Sequence, residues 1–240
     1  MTTPLQSRLA QVQGHVKAAA QGRDVRLVAV SKFHPVESLM EAYNAGQRHF
    51  GENYMQELLA KAQVMPKDVN WHFIGAMQSS KCKKIASIEN LWCIETVDTE
   101  KKARLINSAR EELNKPLRVY VQVNTSGEDN KSGVAPEDAL PLCKFIKDSC
   151  SHLQLQGIMT IGSFTNSLNE KTNPDFEKLI QLRKQLENDL SCKLEVSMGM
   201  SADYELAIQY GSDNVRVGRT IFGERPVENP HQEKRVTESQ

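Results

Sequence analysis

No stretch of this chain approaches the ~20 consecutive apolar residues of a membrane-spanning helix. The N-terminus also lacks a cationic start followed by an apolar segment. Membrane insertion and secretion are both disfavoured, and a cytoplasmic protein is expected, with the nucleus or another intracellular compartment left open. The five cysteines, Cys82, Cys93, Cys143, Cys150 and Cys192, include no C-x-x-C pair, so neither a zinc site nor a disulfide framework is suggested. Their odd number fits a reducing compartment. Charge is balanced at 30 basic and 30 acidic residues, which leaves no cationic excess for nucleic acid or an anionic membrane surface. The short basic clusters Lys81, Lys83, Lys84 and Lys101, Lys102 fall in expected helices and read as solvated faces. The six histidines are too scattered to show a metal-ligand spacing. No G-x-G-x-x-G follows the first strand, which removes the main support for a doubly wound dinucleotide-binding sheet.

With 240 residues, 39% of them hydrophobic and 25% charged, the chain has room for one α/β barrel or two smaller domains. Its pivot is Arg26-Leu27-Val28-Ala29-Val30-Ser31-Lys32, with Phe33, His34 and Pro35 directly behind. The valine-rich run suits a strand covered on both faces, and Pro35 ahead of a helical pattern suits a strand-to-helix turn. Lys32 is thereby expected at the carboxyl end of a strand. Before this strand, Leu5, Leu9, Val12 and Val16 form one apolar stripe of a helix over 4–20. After it, helices over 36–44, 54–65, 80–87, 99–113, 136–150, 175–190 and 202–210 alternate with strands over 49–53, 69–75, 91–97, 117–124, 153–161, 193–200 and 214–222. Asp98 and Thr99 are expected to cap the helix that begins there. Two polar loops, 125–133 and 162–173, interrupt the pattern, and the second is long enough for a lid. Eight strands alternating with helices predict a single (β/α)8 TIM-type barrel with an extra N-terminal helix, spanning 1–226 and followed by a mobile polar tail over 227–240.

Closure of such a barrel brings the carboxyl ends of all its strands to one mouth, where their residues are read together. The set comprises Lys32, Asn53, His72, Asn124, Met159, Thr160, Met198, Met200, Ser201, Arg216 and Gly218. Singly, each has a plain structural role available, as turn former, core filler or satisfied histidine. The sharpest pair of segments is Met198 to Asp203 and Val215 to Thr220. Barrels commonly bind phosphate between strands seven and eight, where a glycine lets a backbone amide approach an oxygen. Ser201 can offer its hydroxyl and amide there, and Gly218 and Arg219 their amides. A lysine across the mouth from such a site suits an aldehyde cofactor anchored by its phosphate.

Val30-Ser31-Lys32, Phe50-Gly51-Glu52-Asn53-Tyr54, Trp71-His72-Phe73-Ile74-Gly75, residues 197–203, Val215 to Gly218 and Ile221-Phe222-Gly223-Glu224-Arg225-Pro226 together resemble the pyridoxal phosphate homeostasis protein family. The motifs occur in order from about residue 26 to residue 226. The resemblance implies a single barrel similar to the N-terminal domain of alanine racemase, binding pyridoxal 5'-phosphate in intracellular homeostasis of vitamin B6, without robust turnover. By motif it makes Lys32 the lysine of a covalent aldimine and makes Ser201, Gly218 and Arg219 the phosphate cradle, with Thr220 as an added contact. Arg216 matches the arginine facing the pyridine nitrogen in the similar racemases. Asn53 and His72 are implied to line the ring, with Met198 and Met200 packed near it.

A guanidinium opposite the ring nitrogen only donates, so it favours the unprotonated ring and weakens the electron sink. The second domain that supplies a base in the racemases is not expected, because the chain ends soon after strand eight. The expected function is therefore a cofactor carrier or buffer, a monomer, with apo-enzymes that need pyridoxal phosphate as possible recipients. Two alternatives remain. One is a minor amino-acid enzyme using Tyr54 or His72 as second base, and the other a cofactor-free aldolase in which Lys32 attacks its substrate directly.

Overall fold

The computed structural model describes residues 2–128, 131–169 and 171–224. Parallel strands need a crossover between them, and the alternation of short apolar runs with amphipathic stretches supplies one after each strand. The strands are β1 (Arg26–Val30), β2 (His49–Glu52), β3 (Asn70–Phe73), β4 (Leu91–Val97), β5 (Leu117–Gln122), β6 (Leu153–Met159), β7 (Glu195–Ser197) and β8 (Asn214–Val217). They lie in sequence order, all parallel, and β8 pairs back onto β1 with Ala29 beside Val217, so the sheet closes into the expected barrel. The helices are α1 (Pro4–Ala20), α2 (Val36–Asn44), α3 (Met55–Val64), α4 (Cys82–Ala86), α5 (Glu100–Glu112), α6 (Ala139–Ser149), α7 (Phe164–Ser167), α8 (Pro174–Leu190), α9 (Tyr204–Tyr210) and α10 (Arg219–Phe222).

Helix α1 begins on a reciprocal cap in which the Gln6 amide donates to Thr3 Oγ1 and the Thr3 amide to Gln6 Oε1, both at 3.2 Å. Its stripe of Leu5, Leu9, Val12 and Val16 is buried, and the helix packs on α2, α9 and α10. Thr99 caps α5 by accepting the Lys102 amide, while Asp98 instead pairs with the Lys102 ammonium at 2.6 Å.

Period-2 alternation gives the barrel two unlike faces. Ala29, Phe50, Trp71, Ile94, Val119, Ile158, Val196 and Val215 are fully or almost fully buried between sheet and helices. The residues between them bond across the interior. Arg26 of β1 reaches Glu195 of β7 at 2.8 Å, and Asn214 of β8 reaches Glu95 of β4 at 3.2 Å. The interior is therefore largely polar, while β1 itself turns the buried Val28 inward beside Gly51, in keeping with a strand covered on both faces.

Several element ends differ from expectation. β1 stops at Val30, so Lys32 occupies a turn two residues beyond the strand. β7 stops at Ser197, short of Met200, and α9 starts at Tyr204, two residues later than expected. β8 stops at Val217, and the residues expected to continue it form α10, which turns Ile221 and Phe222 inward beside α1. The 162–173 loop contains α7, because Ser163 accepts the Asn166 amide at 3.0 Å and caps one helical turn. The expected tail over 227–240 lies outside the described residues, as do Arg225 and Pro226. Among the described residues no helix is long and apolar enough to cross a membrane.

Candidate functional site

Lys32 is half-buried in the turn between β1 and α2, and both residues flanking it are held by hydrogen bonds. The Ser31 hydroxyl donates to Glu52 Oε1 at 2.6 Å, and the Ser31 carbonyl accepts from Lys61 Nζ at 2.9 Å. The Phe33 amide donates to Glu57 Oε2 at 2.8 Å. Phe33 itself has φ +65°, a left-handed conformation that costs a side-chain-bearing residue about 1–3 kcal/mol and clusters at functional sites. Its ring lies 5.0 Å from that of Tyr54, and the next residue, His34, stacks on Phe222 of α10 at 4.9 Å. The Lys32 turn is thus joined to the far side of the β8 end.

Around that end the backbone is crowded. A Cβ on Gly218 would sit 3.2 Å from the Val30 carbonyl oxygen, so β1 and the start of α10 approach closely. The Gly218 amide donates to Ser201 Oγ at 3.2 Å. Ser201 lies in the turn between β7 and α9, where Gly199 at φ +97° reverses the chain against Ala207. That reversal separates the two methionines. Met198 is fully buried in the core between sheet and helices, whereas Met200 is half-buried, with its amide on Asp203 Oδ1 at 2.7 Å. Arg219 and Thr220 are exposed, and the Arg219 guanidinium points to Glu224 at 3.8 Å. Only their amides, which head α10 and precede any intrahelical acceptor, remain at the mouth.

Arg216 is almost fully buried inside the barrel, donating to Ser197 Oγ at 2.5 Å and to the Thr160 carbonyl at 2.8 Å, with Glu95 at 3.8 Å. Burial disfavours its charge and lowers its pKa, an effect that Glu95 opposes. Glu95 also accepts from Ser197 at 2.5 Å, from Asn214, and from His72 Nδ1 at 2.7 Å. Burial would raise its carboxyl, but the His72 bond, the Arg216 charge and the Ser197 bond hold it below its ordinary value. A carboxylate only accepts, so the His72 proton is assigned to Nδ1. Neutral His72 then accepts at Nε2 from His49 Nδ1, 2.9 Å away. His72 is wholly buried, stacks on Trp92 at 4.8 Å, and has both ring nitrogens engaged below the mouth. Asn53, after β2, carries a buried Oδ1 with no hydrogen-bond partner among the described residues.

A cavity of about 220 Å³ opens over the ends of β3 to β6. Its walls include Thr96, Gln122, Thr125, Lys131, Thr160 and Gly162. Lys131 Nζ donates to the Gly162 carbonyl at 2.8 Å, joining the two polar loops, and Thr125 meets Thr160 hydroxyl to hydroxyl at 2.9 Å.

Of the sequence-derived residues, the fold gathers Lys32, Ser201, Gly218 and the Arg219 and Thr220 amides around the β1 and β8 ends, with Asn53 and Met200 beside them. It sets Arg216 and His72 inside the barrel and Met198 behind the sheet. Sequence reasoning missed Glu52, Glu57 and Lys61, although the Glu57 and Lys61 spacing of four along one helix was visible. It also missed Glu95, whose signal was a lone acid in the apolar run Leu91 to Val97.

Residues 5–226 match the family model described as alanine racemase, N-terminal domain. A protein of Schizosaccharomyces pombe named pyridoxal phosphate homeostasis protein is 63% identical over 226 residues, covering 94% of this chain and 95% of that one. The chain belongs to the pyridoxal phosphate homeostasis protein family. Its fold is also similar to the structure of PipY of Synechococcus elongatus PCC7942 with PLP bound, at TM-score 0.75 and 31% identity, over 91% of this chain and 100% of that one. An alanine racemase of Clostridium difficile 630 shares the fold at TM-score 0.73 and 15% identity, with 92% of this family member covering 58% of the racemase.

Proposed function

We propose that this protein binds pyridoxal 5'-phosphate at the carboxyl ends of β8 and β1 and serves in vitamin B6 homeostasis by holding and releasing it. The observation that carries the reading is the meeting of Ser201 Oγ with the Gly218 amide at 3.2 Å, beside the strand that leads to Lys32. Lys32 and Thr220 each lie three residues beyond the paired Ala29 and Val217. A phosphate cradle and an amine thus share one stretch of the rim. The unpartnered Asn53 Oδ1 adds a buried acceptor that a ligand donor would satisfy. The names of the curated relatives, and PLP in the PipY structure, support the same ligand.

When bound, the cofactor supplies an aldehyde and an electron-withdrawing ring. Lys32 attaches the aldehyde through its amine, which is nucleophilic only when unprotonated. Ser201 and the amides of Gly218, Arg219 and Thr220 bind phosphate oxygens without a buried cation, which keeps release possible. Arg216 remains charged beside Glu95 and donates only, so it favours an unprotonated ring nitrogen and a weak electron sink. His72 is a poor second base, because both its nitrogens are engaged and burial lowers its pKa. Holding the cofactor therefore fits this site better than proton abstraction from an amino acid.

The test is spectroscopic. Purified protein mixed with pyridoxal phosphate turns yellow, and borohydride fixes the ligand to Lys32 as seen by peptide mass spectrometry. Lys32→Ala binds without colour or fixation. Fixation elsewhere in the native protein, or steady turnover of alanine enantiomers that Lys32→Ala abolishes, would overturn the reading.

A further inference from the structure

Two hydrogen-bonded acids and one buried lysine surround the Lys32 turn, and the cofactor chemistry above uses none of them. Lys61 is 7% exposed and spends all three of its donors on Ser31 O, Glu52 Oε1 and Glu57 Oε2, at 2.9, 2.7 and 2.8 Å. Glu57 Oε2 also accepts the Phe33 amide. The carbonyl before Lys32 and the amide after it are thus both tied to α3. Burying such ions is costly, and well-packed apolar side chains in their place would often be at least as stabilising. Burial outweighs the opposing pull of Lys61 and Ser31 and leaves the Glu52 carboxyl raised to about 7. Phe33 is meanwhile held in a left-handed conformation that an aromatic residue adopts only when its surroundings impose it.

We infer that Glu57 and Lys61 are positioning residues for Lys32, clamping the residues on either side so that its amine meets a phosphate-anchored aldehyde. The inference rests on the reading of Lys32 as the attachment lysine. Glu57 fixes Phe33 from one side, and Lys61 fixes the Ser31 carbonyl from the other. Without the clamp the turn relaxes from the Phe33 conformation and Lys32 loses its aim, while Ser201 and Gly218, on other elements, still hold phosphate.

Two probes separate aim from anchorage. Pyridoxal phosphate needs both the cradle and the Lys32 amine, whereas pyridoxine 5'-phosphate, an alcohol at the same carbon, needs only the cradle. In Glu57→Ala and Lys61→Met the affinity for the aldehyde is expected to fall about tenfold, the effect of one lost charge-assisted hydrogen bond. Affinity for the alcohol is expected to hold. Glu57→Gln keeps an acceptor for the Phe33 amide and should restore most of the aldehyde preference. Parallel loss of both probes, or an unchanged preference in Glu57→Ala, overturns the inference. Should Lys61→Met fail to fold, the Glu57→Ala and Glu57→Gln pair decides the matter alone. Lys32→Ala is the separate control: if it leaves the aldehyde preference intact, the reading of Lys32 fails before the clamp is tested.

Discussion

Glu95 shows how much one side chain inside this barrel carries. It accepts from His72, Ser197 and Asn214 and balances Arg216, so three strands other than its own, β3, β7 and β8, converge on one carboxylate. Removing one partner of a buried charge pair costs about 3–5 kcal/mol, because the other is left uncompensated. Glu95→Gln also turns an amide NH2 toward a group that already donates. We expect it to lower the free energy of urea unfolding by about 3 kcal/mol or more. A loss below about 1 kcal/mol would mean that Arg216 finds another counter-charge. At this scale the sequence put Lys32 and Ser201 just beyond the ends of strands, and the fold has them there. The sequence could not identify Glu95, since an acid in an apolar run has no local partner to betray its role.

Elements meet in this barrel at distances that only glycine permits. A Cβ on Gly157 of β6 would lie 1.9 Å from the Glu195 carbonyl oxygen of β7, and one on Gly75 would lie 1.9 Å from the Asn53 carbonyl oxygen. Gly14, in the middle of α1, has nothing within 4 Å of its missing Cβ. The same substitution should therefore change sign with its element. Gly14→Ala is expected to stabilise by about 0.5–1 kcal/mol, the cost of glycine in a helix. Gly157→Ala is expected to destabilise by about 2 kcal/mol or more, as backbone must move to admit a methyl group. Chemical denaturation of the two variants checks both signs. Helix and strand identity was legible because periodicity is local. The loss of strand character after Val217 was not, because Ile221 and Phe222 find their partners in α1, some 200 residues away in sequence.

Stability against pH is a property of the whole molecule, summed over groups whose proton affinity folding alters. Burial, then the neighbouring His72 and Arg26, lower His49 from 6.5 to about 3. Below pH 6.5 the unfolded chain takes a proton there that the folded barrel refuses, so this contribution is lost progressively as pH falls from 6.5 toward 3. Glu52 works in the opposite sense. With a folded value of about 7 it keeps a proton that the unfolded chain releases above about 4.5, so its contribution declines as pH rises from 4.5 to 7. Between pH 6.5 and 5 the two slopes oppose each other in the native protein. His49→Gln removes one of them. It should lose about 1 kcal/mol less stability than wild type across that interval, a figure discounted for the partial exposure of His49. Equal losses in the two proteins would show that His49 does not titrate as its surroundings dictate.

What the sequence by itself determined is the order of elements, their approximate bounds and the barrel they imply. Apolar spacing such as Leu5, Leu9, Val12 and Val16 reports that a face is buried, and caps such as Thr99 report where a helix begins. Only the tertiary structure decided what each face is buried against. Met198 and Met200 differ by two positions, yet the turn at Gly199 sends the first behind the sheet and leaves the second near the mouth. The polar interior likewise exists only once the barrel closes, since Asn214 reaches Glu95 across 119 positions of sequence. The clamp on Lys32 is of the same kind. Glu57 and Lys61 look like an ordinary surface pair on a helix until α3 is laid against the turn after β1, where burial removes the water that would otherwise serve their charges.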